Sequence, residues 1–274
     1  MKNLIIYGCF IWIFTACQSG SVLSTSGTTR VKKYDFVHPD IPSSFDGFRI
    51  VFASDFHYKS KFKEKQLVRM VHTVNNLGAD LFLMGGDYQE GCEYVEELVS
   101  YLAQIQTNYG SLGVMGNNDY ERCYEEIIEE MESHGIRILE HVNDTIHIGS
   151  EYIIISGVRN PFDLRANGIS PTLELNSEDF VLLLTHTPDY TEDVDITHTD
   201  LALAGHTHGG QITFLGLYAP VTGSKYGQRF LKGKNKNTQG IPVITTKGLG
   251  TSRRNIRLFA HTEVILLILH SEEK

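Results

Sequence analysis

The sequence predicts an α/β fold built on two β-sheets, and three observations predict it. From Phe48 onward, strand-length apolar runs alternate with amphipathic helical patterns. From Ile136 the pattern changes to short strands with turn residues between them, which calls for a second sheet. Five of the apolar runs end directly in a short polar segment, as expected of an open α/β sheet whose site lies beyond the carboxyl ends of its strands.

Those five runs are Ile50 to Ser54, Leu81 to Met84, Leu112 to Met115, Phe180 to Leu184 and Leu201 to Ala204. They are mostly apolar along their whole length, as strands buried on both faces are. Between them, Leu67, Val71 and Val74 share one face of a helix, and so do Val95, Leu98, Val99, Leu102 and Ile105. A third helix runs from Tyr124 to His134 with an acidic outer face and stops at Gly135, a residue suited to a left-handed helix end. Ile136 to Leu139, Thr145 to Ile148, Tyr152 to Gly157, Val243 to Thr246 and Val264 to Leu269 supply the remaining strands. Arg229 to Gly240, with Lys232, Lys234 and Lys236 among Asn and Gly, reads as a mobile surface loop.

A chain of 274 residues with 41% apolar and 21% charged residues can bury a sizeable core, and nothing after Phe48 marks a domain boundary. A single domain over residues 45–274 is expected, as a monomer. The formal charge of -9 argues against nucleic acid as a partner, because such affinity comes chiefly from basic groups neutralising phosphates. Lys2 followed by an apolar stretch from Leu4 to Phe14 has the length of a signal core rather than of a bilayer span. Residues 1–16 therefore read as a signal segment. Phe14-Thr15-Ala16-Cys17 resembles the lipobox of bacterial lipoproteins, with Phe14 where Leu is usual. Residues 17–44 then form a polar tether, and the expected location is the cell envelope, by lipid on Cys17. A secreted form and an uncleaved hydrophobic anchor are the alternatives. Only Cys92 and Cys123 would remain in the folded part, where a bridge and two free thiols are both open.

The polar segments hold two carboxylates (Asp55 and Asp87), four imidazoles (His57, His186, His206 and His208) and the amide of Asn117. Oxygen and imidazole donors without a thiolate suit Mn, Fe or Zn. Seven side chains are too many for one tetrahedral ion but fit two divalent metal ions sharing a carboxylate.

Asp55-Phe56-His57, Gly86-Asp87, Gly116-Asn117-Asn118-Asp119, Thr185-His186 and Gly205 to Gln211 follow one another in the order of the calcineurin-like metallophosphoesterase motifs D-x-H, GD, GNHD, a lone His and GH-x-H. The chain resembles that family over roughly Phe48 to Leu269. The long form Gly205 to Gln211, with Lys247 to Ser252, is similar to its membrane-associated bacterial phosphodiesterase branch. The resemblance implies a two-sheet β-sandwich flanked by helices, a four-layer α/β/β/α metallophosphoesterase fold. It implies one metal on Asp55, His57 and His208, another on Asn117, His186 and His206, and Asp87 between them, with manganese favoured. It implies hydrolysis of a phosphodiester or pyrophosphate by metal-activated hydroxide, with a small or lipid-linked phosphoester such as a UDP-diacylglucosamine-like pyrophosphate as substrate. A nuclease of the same superfamily and a catalytically weak metal-binding envelope protein are the competing readings.

One position departs from the pattern: Asn118 stands where the family has a histidine that contacts phosphate. An amide donates a hydrogen bond but does not surrender a proton at neutral pH. Asp119 is expected either to orient its neighbours or to cap a helix starting near Tyr120. Gln211 has no evident chemical duty.

Overall fold

The structure, a computed structural model, describes residues 22–23, 29–159 and 169–272. The signal segment, Cys17 and, apart from Val22–Leu23, the tether up to residue 28 lie outside the described residues. Among the described residues thirteen strands appear in chain order: β1 Val22–Leu23, β2 Val31–His38, β3 Arg49–Ala53, β4 Leu81–Met84, β5 Ser111–Gly113, β6 Arg137–Ile138, β7 Val142–Ile148, β8 Glu151–Gly157, β9 Val181–Thr185, β10 Leu201–Ala204, β11 Gly233–Lys236, β12 Pro242–Thr245 and β13 Val264–Ser271. The helices are α1 Glu64–Asn76, α2 Val95–Leu102, α3 Asn117–Glu121, α4 Tyr124–Ser133 and α5 Tyr190–Asp193.

The strands form two mixed sheets, β1-β2-β13-β3-β4-β5-β6 and β11-β12-β10-β9-β8-β7. β3 to β6 run parallel, as do β8, β9, β10 and β12. A buried layer that includes Phe52, Leu83, Val114, Leu182, Leu203 and Leu267 joins the sheets face to face. The outer face of the first sheet is covered by the apolar sides of α1, α2 and α4, through Leu67, Met70, Leu98, Leu102, Ile127 and Met131. The second sheet packs outward on Tyr190, Val194, Ile196 and Phe230, so its outer layer is the short α5 with turns and loops. This is the α/β sandwich predicted, and it explains why β4, β9 and β10 are buried at every position.

Register places the site. Ala53 pairs with Met84 and Met84 with Gly113, so the carboxyl ends of β3, β4 and β5 lie side by side. In the second sheet Thr185 pairs with Ala204, which aligns the ends of β9 and β10.

Two expectations need correction. Val31–His38, placed by the sequence within the tether of residues 17–44, is a strand paired along its length with β13, and Ile41 and Phe45 beyond it are buried. Its core contacts Val31, Tyr34 and Phe36 are separated by polar residues in a broken alternation that period-2 reading passes over. Gly233–Lys236, within the segment expected to be a mobile loop, is an edge strand paired with β12. Its backbone follows the apolar neighbour, and its Lys side chains suit an exposed edge.

Cys92 and Cys123 form a disulfide, which settles the alternative left open. It ties the start of α2 to the turn before α4 across 31 residues. Closing a loop of that size in the unfolded chain is worth about 3–4 kcal/mol. Urea unfolding with and without reductant should therefore differ by that amount, and equal midpoints would show that the bridge does not stabilise the fold.

Candidate metal centre

The seven predicted donors come from five strand-end loops of both sheets and meet at one place. Asp55 and His57 follow β3, Asp87 follows β4 and Asn117 opens α3 after β5. His186 follows β9, and His206 and His208 follow β10. Their donor atoms fall into two groups that share Asp87: Asp55, His57, Asp87 and His208, and Asp87, His186 and His206. In the first, His57 Nε2 is 3.2 Å from Asp87 Oδ2 and His208 Nε2 is 3.3 Å from Asp55 Oδ1. In the second, His186 Nε2 is 3.5 Å from Asp87 Oδ2, 3.1 Å from His206 Nδ1 and 3.2 Å from Asn117 Oδ1. Asn117 thus joins the second group.

The backbone is bent to achieve this. Asp55, His57, Asp87, His206 and His208 all have positive φ, a region that non-glycine residues occupy at a cost of about 1–2 kcal/mol each. Hydrogen bonds hold the bends: Asp55 N–H donates to Gly86 O, His57 N–H to Asp87 O, and His206 N–H to the Asp55 carboxylate at 2.9 Å. Gly116 has no room for a side chain, because a Cβ there would meet the Asp87 carboxylate.

Each imidazole is also aimed from behind. His57 Nδ1 donates to Glu90 Oε1 at 2.7 Å, and His186 Nδ1 to Gly85 O at 2.7 Å, which leaves both Nε2 lone pairs facing the shared point. His57 Nε2 is buried, 3.2 Å from Asp87 Oδ2, and has no assigned hydrogen bond among the described residues. A buried nitrogen without a donor, facing carboxylates, fits a cation. Charge agrees. Burial pushes the Asp87 carboxyl up, but the imidazoles of His186 and His57 outweigh it and hold Asp87 below the ordinary carboxylate range. Burial pushes His57 down, and Asp87 with Glu90 lifts it to about 10. Burial and the neighbouring His186 drive His206 down to about 3, and burial and His57 drive His208 well below its ordinary value. Burial likewise pushes the Asp55 carboxyl up, and Asp87 and Asp55 outweigh burial to raise His186, so protons sit on part of the donor set; a divalent cation, whose ligands must be deprotonated, would displace them.

Asp119 stands behind this ring and serves as a positioning residue. Its carboxylate accepts the N–H groups of Asp87 and Gly116 at 2.7 Å and of Tyr88 at 2.9 Å. The helix it caps begins at Asn117 and not near Tyr120, with Asp119 as its third residue. Asn118 lines the open cavity of about 600 Å³ in front of the donors, alongside Glu90, Glu121, Arg122 and Arg253. Its N–H donates to Asp87 Oδ1 at 3.0 Å and its amide lies 3.3 Å from Asp87 Oδ2.

Sequence reasoning missed Glu90 and Arg257. Arg257 donates to the carbonyls of Gly250, His208 and Ala260, and so pins the loop that carries His208. Neither belongs to a motif, although Glu90 lies only three residues past Asp87. Gln211 has a duty after all: its side chain accepts from Ser252 N at 2.8 Å and donates to Ser252 O at 2.9 Å, joining two loops.

The chain is similar to known proteins. The calcineurin-like phosphoesterase pattern matches residues 48–210. An uncharacterized metallophosphoesterase of Campylobacter jejuni is 28% identical over 261 residues, covering 92% of this chain and 66% of its own length. The uncharacterized metallophosphoesterase YkuE of Bacillus subtilis is 28% identical over 236 residues, 84% of this chain and 82% of that protein. The chain thus spans just under two thirds of the first relative. Among solved structures, the NAD nucleotidase of Haemophilus influenzae superposes with a TM-score of 0.51 at 15% identity, over 74% of this chain and 45% of that one, a likeness of fold. A pattern reaching from the strand before Asp55 through Gly210 takes in all seven donors, and with it the chain belongs to the calcineurin-like phosphoesterase family, the metal-dependent phosphoester hydrolases.

Proposed function

We propose that this chain is a two-metal phosphodiesterase or pyrophosphatase of the membrane-associated bacterial branch, held at the cell envelope by lipid on Cys17 and acting on a lipid-linked phosphoester such as a UDP-diacylglucosamine-like pyrophosphate. The observation that carries the two-metal reading is the sharing of Asp87 by two donor groups, each drawn from both sheets. Asp55, His57, Asp87 and His208 would hold one cation, and Asp87, Asn117, His186 and His206 the other, with manganese favoured. Bound there, divalent ions supply an activated water as nucleophile and neutralise the phosphoryl oxygens.

The chain's own groups do the rest. Asn118 stands at the wall of the cavity, where its amide donates a hydrogen bond to a phosphoryl oxygen without giving up a proton. Arg122 and Arg253 at the rim offer fixed cations to a second phosphate. Glu90 and Asp119 hold His57 and the Asp87 loop in place. Departure of the leaving group then relies on its own stability, which favours pyrophosphates and aryl esters over simple alkoxides.

Stripping the protein with a chelator should abolish hydrolysis of bis-p-nitrophenyl phosphate, and added manganese should restore it with about two ions per chain by elemental analysis. Full activity after stripping would end the proposal. One tightly held ion per chain would end its two-metal part, and loaded protein without turnover would favour the metal-binding reading.

A further inference from the structure

Large apolar side chains stand in water beside the metal centre. Phe214 is 71% exposed, Leu215 62%, Leu217 79% and Val221 71%, and Ile256, Leu258 and Phe259 are each about half exposed. Single exposed residues of this kind are ordinary on a soluble surface, whereas a contiguous group marks a contact site. These form one group, because their two loops are zipped together. Ile212 bridges to Leu258 and Phe259, Thr213 N–H donates to Leu258 O at 3.0 Å, and Leu258 N–H donates to Gln211 O at 2.8 Å. The Gln211 to Ser252 pair fastens the base, so the tips project from a braced platform.

Charge around the platform is one-sided. Residues 210–224 contain no charged residue, and in residues 247–262, where Lys247 pairs with Glu263 at 2.7 Å and Arg257 is turned onto backbone carbonyls, Arg253 and Arg254 are the exposed cations, in a chain of net charge -9. Arg253 and Arg254 are exposed at the edge of the apolar tips. Phe259 also shares a cavity of about 400 Å³ with Thr29, Arg30, Lys61 and Arg69, so Thr29 lies at this same face. Finally, Val221 and Arg253 line the cavity of the metal centre itself.

We propose that this face docks on an anionic lipid bilayer: the tips around Phe214, Leu217 and Phe259 enter the headgroup region, Arg253 and Arg254 meet lipid phosphates, and the metal-centre cavity opens beside the membrane surface. Apolar side chains flanked by basic ones are the combination that holds a protein in the interface plane, and each arginine near an anionic surface strengthens binding severalfold. A phosphoester attached to a lipid would then reach the donors without leaving the bilayer. The docking itself does not depend on catalysis.

The test places a single tryptophan at the tip, by Leu217→Trp in the full chain with Trp12→Phe, and a control tryptophan at Tyr152→Trp on the far end of the second sheet. Vesicles are phosphatidylethanolamine with phosphatidylglycerol, with and without brominated acyl chains, and pure phosphatidylcholine. Expected are a blue-shifted emission and quenching by brominated lipid at position 217 and not at 152, severalfold stronger on the anionic vesicles. A water-exposed emission at 217 on anionic vesicles overturns the proposal. So does a tip already shielded before lipid is added, the result if Leu4 to Phe14 or a second copy covers the face.

Discussion

Asp87→Asn is expected to lower phosphodiester hydrolysis by about 10³-fold while leaving the fold intact. The substitution changes almost no volume, and the N–H bonds from Asp87 to Asp119 and from Asn118 to Asp87 Oδ1 can persist. What it removes is the negative charge lying 3.2 Å from His57 Nε2 and 3.5 Å from His186 Nε2, the only charge common to both donor groups. Metal assistance is worth several kcal/mol of transition-state stabilisation, and each 1.36 kcal/mol is tenfold in rate. Turnover of bis-p-nitrophenyl phosphate and elemental analysis of the purified variant read the two effects apart, with circular dichroism as the check on folding. A variant that keeps both its metal and its rate would remove Asp87 from the centre.

Asn118→His should raise the rate on alkyl phosphodiesters by up to ~10²-fold and barely change the rate on p-nitrophenyl esters or pyrophosphates. General acid catalysis is typically worth ~10²–10⁴-fold, and it matters most where the leaving oxygen is a poor one. The side chain at this position faces the open cavity beside Asp87, so a new imidazole would sit where a leaving group departs. The measurement is a plot of log rate against leaving-group pKa for both proteins. A steeper dependence in the Asn118 protein is expected, and parallel lines would refute this role.

Much of the site was legible because its chemistry is local. Each donor sits within four residues of an apolar run, and the register that aligns Ala53, Met84 and Gly113 is what an unbroken parallel sheet imposes. The supporting groups were not legible, because they act across the chain. Gln211 meets Ser252 from 41 residues away, and Arg257 meets the His208 carbonyl from 49. Left-handed backbone at five donors was also invisible, since Asp and His give no sign of it that glycine would give. In the fold, α1, α2, α4 and most strands of both sheets followed from the sequence pattern, whereas α5 did not. β2 and β11 did not, because Lys32, Lys33 and Asp35, or Lys234 and Lys236, mask strands that exist only through a neighbour's hydrogen bonds.

Each donor group borrows side chains from both sheets. Ions seated there would act as rivets through the sandwich, and the free energy of holding them would be shared with the free energy of keeping the layers closed. Metal-starved copies would then be easier targets for proteases, and scarcity of the ion would be felt as loss of the protein as well as loss of its rate.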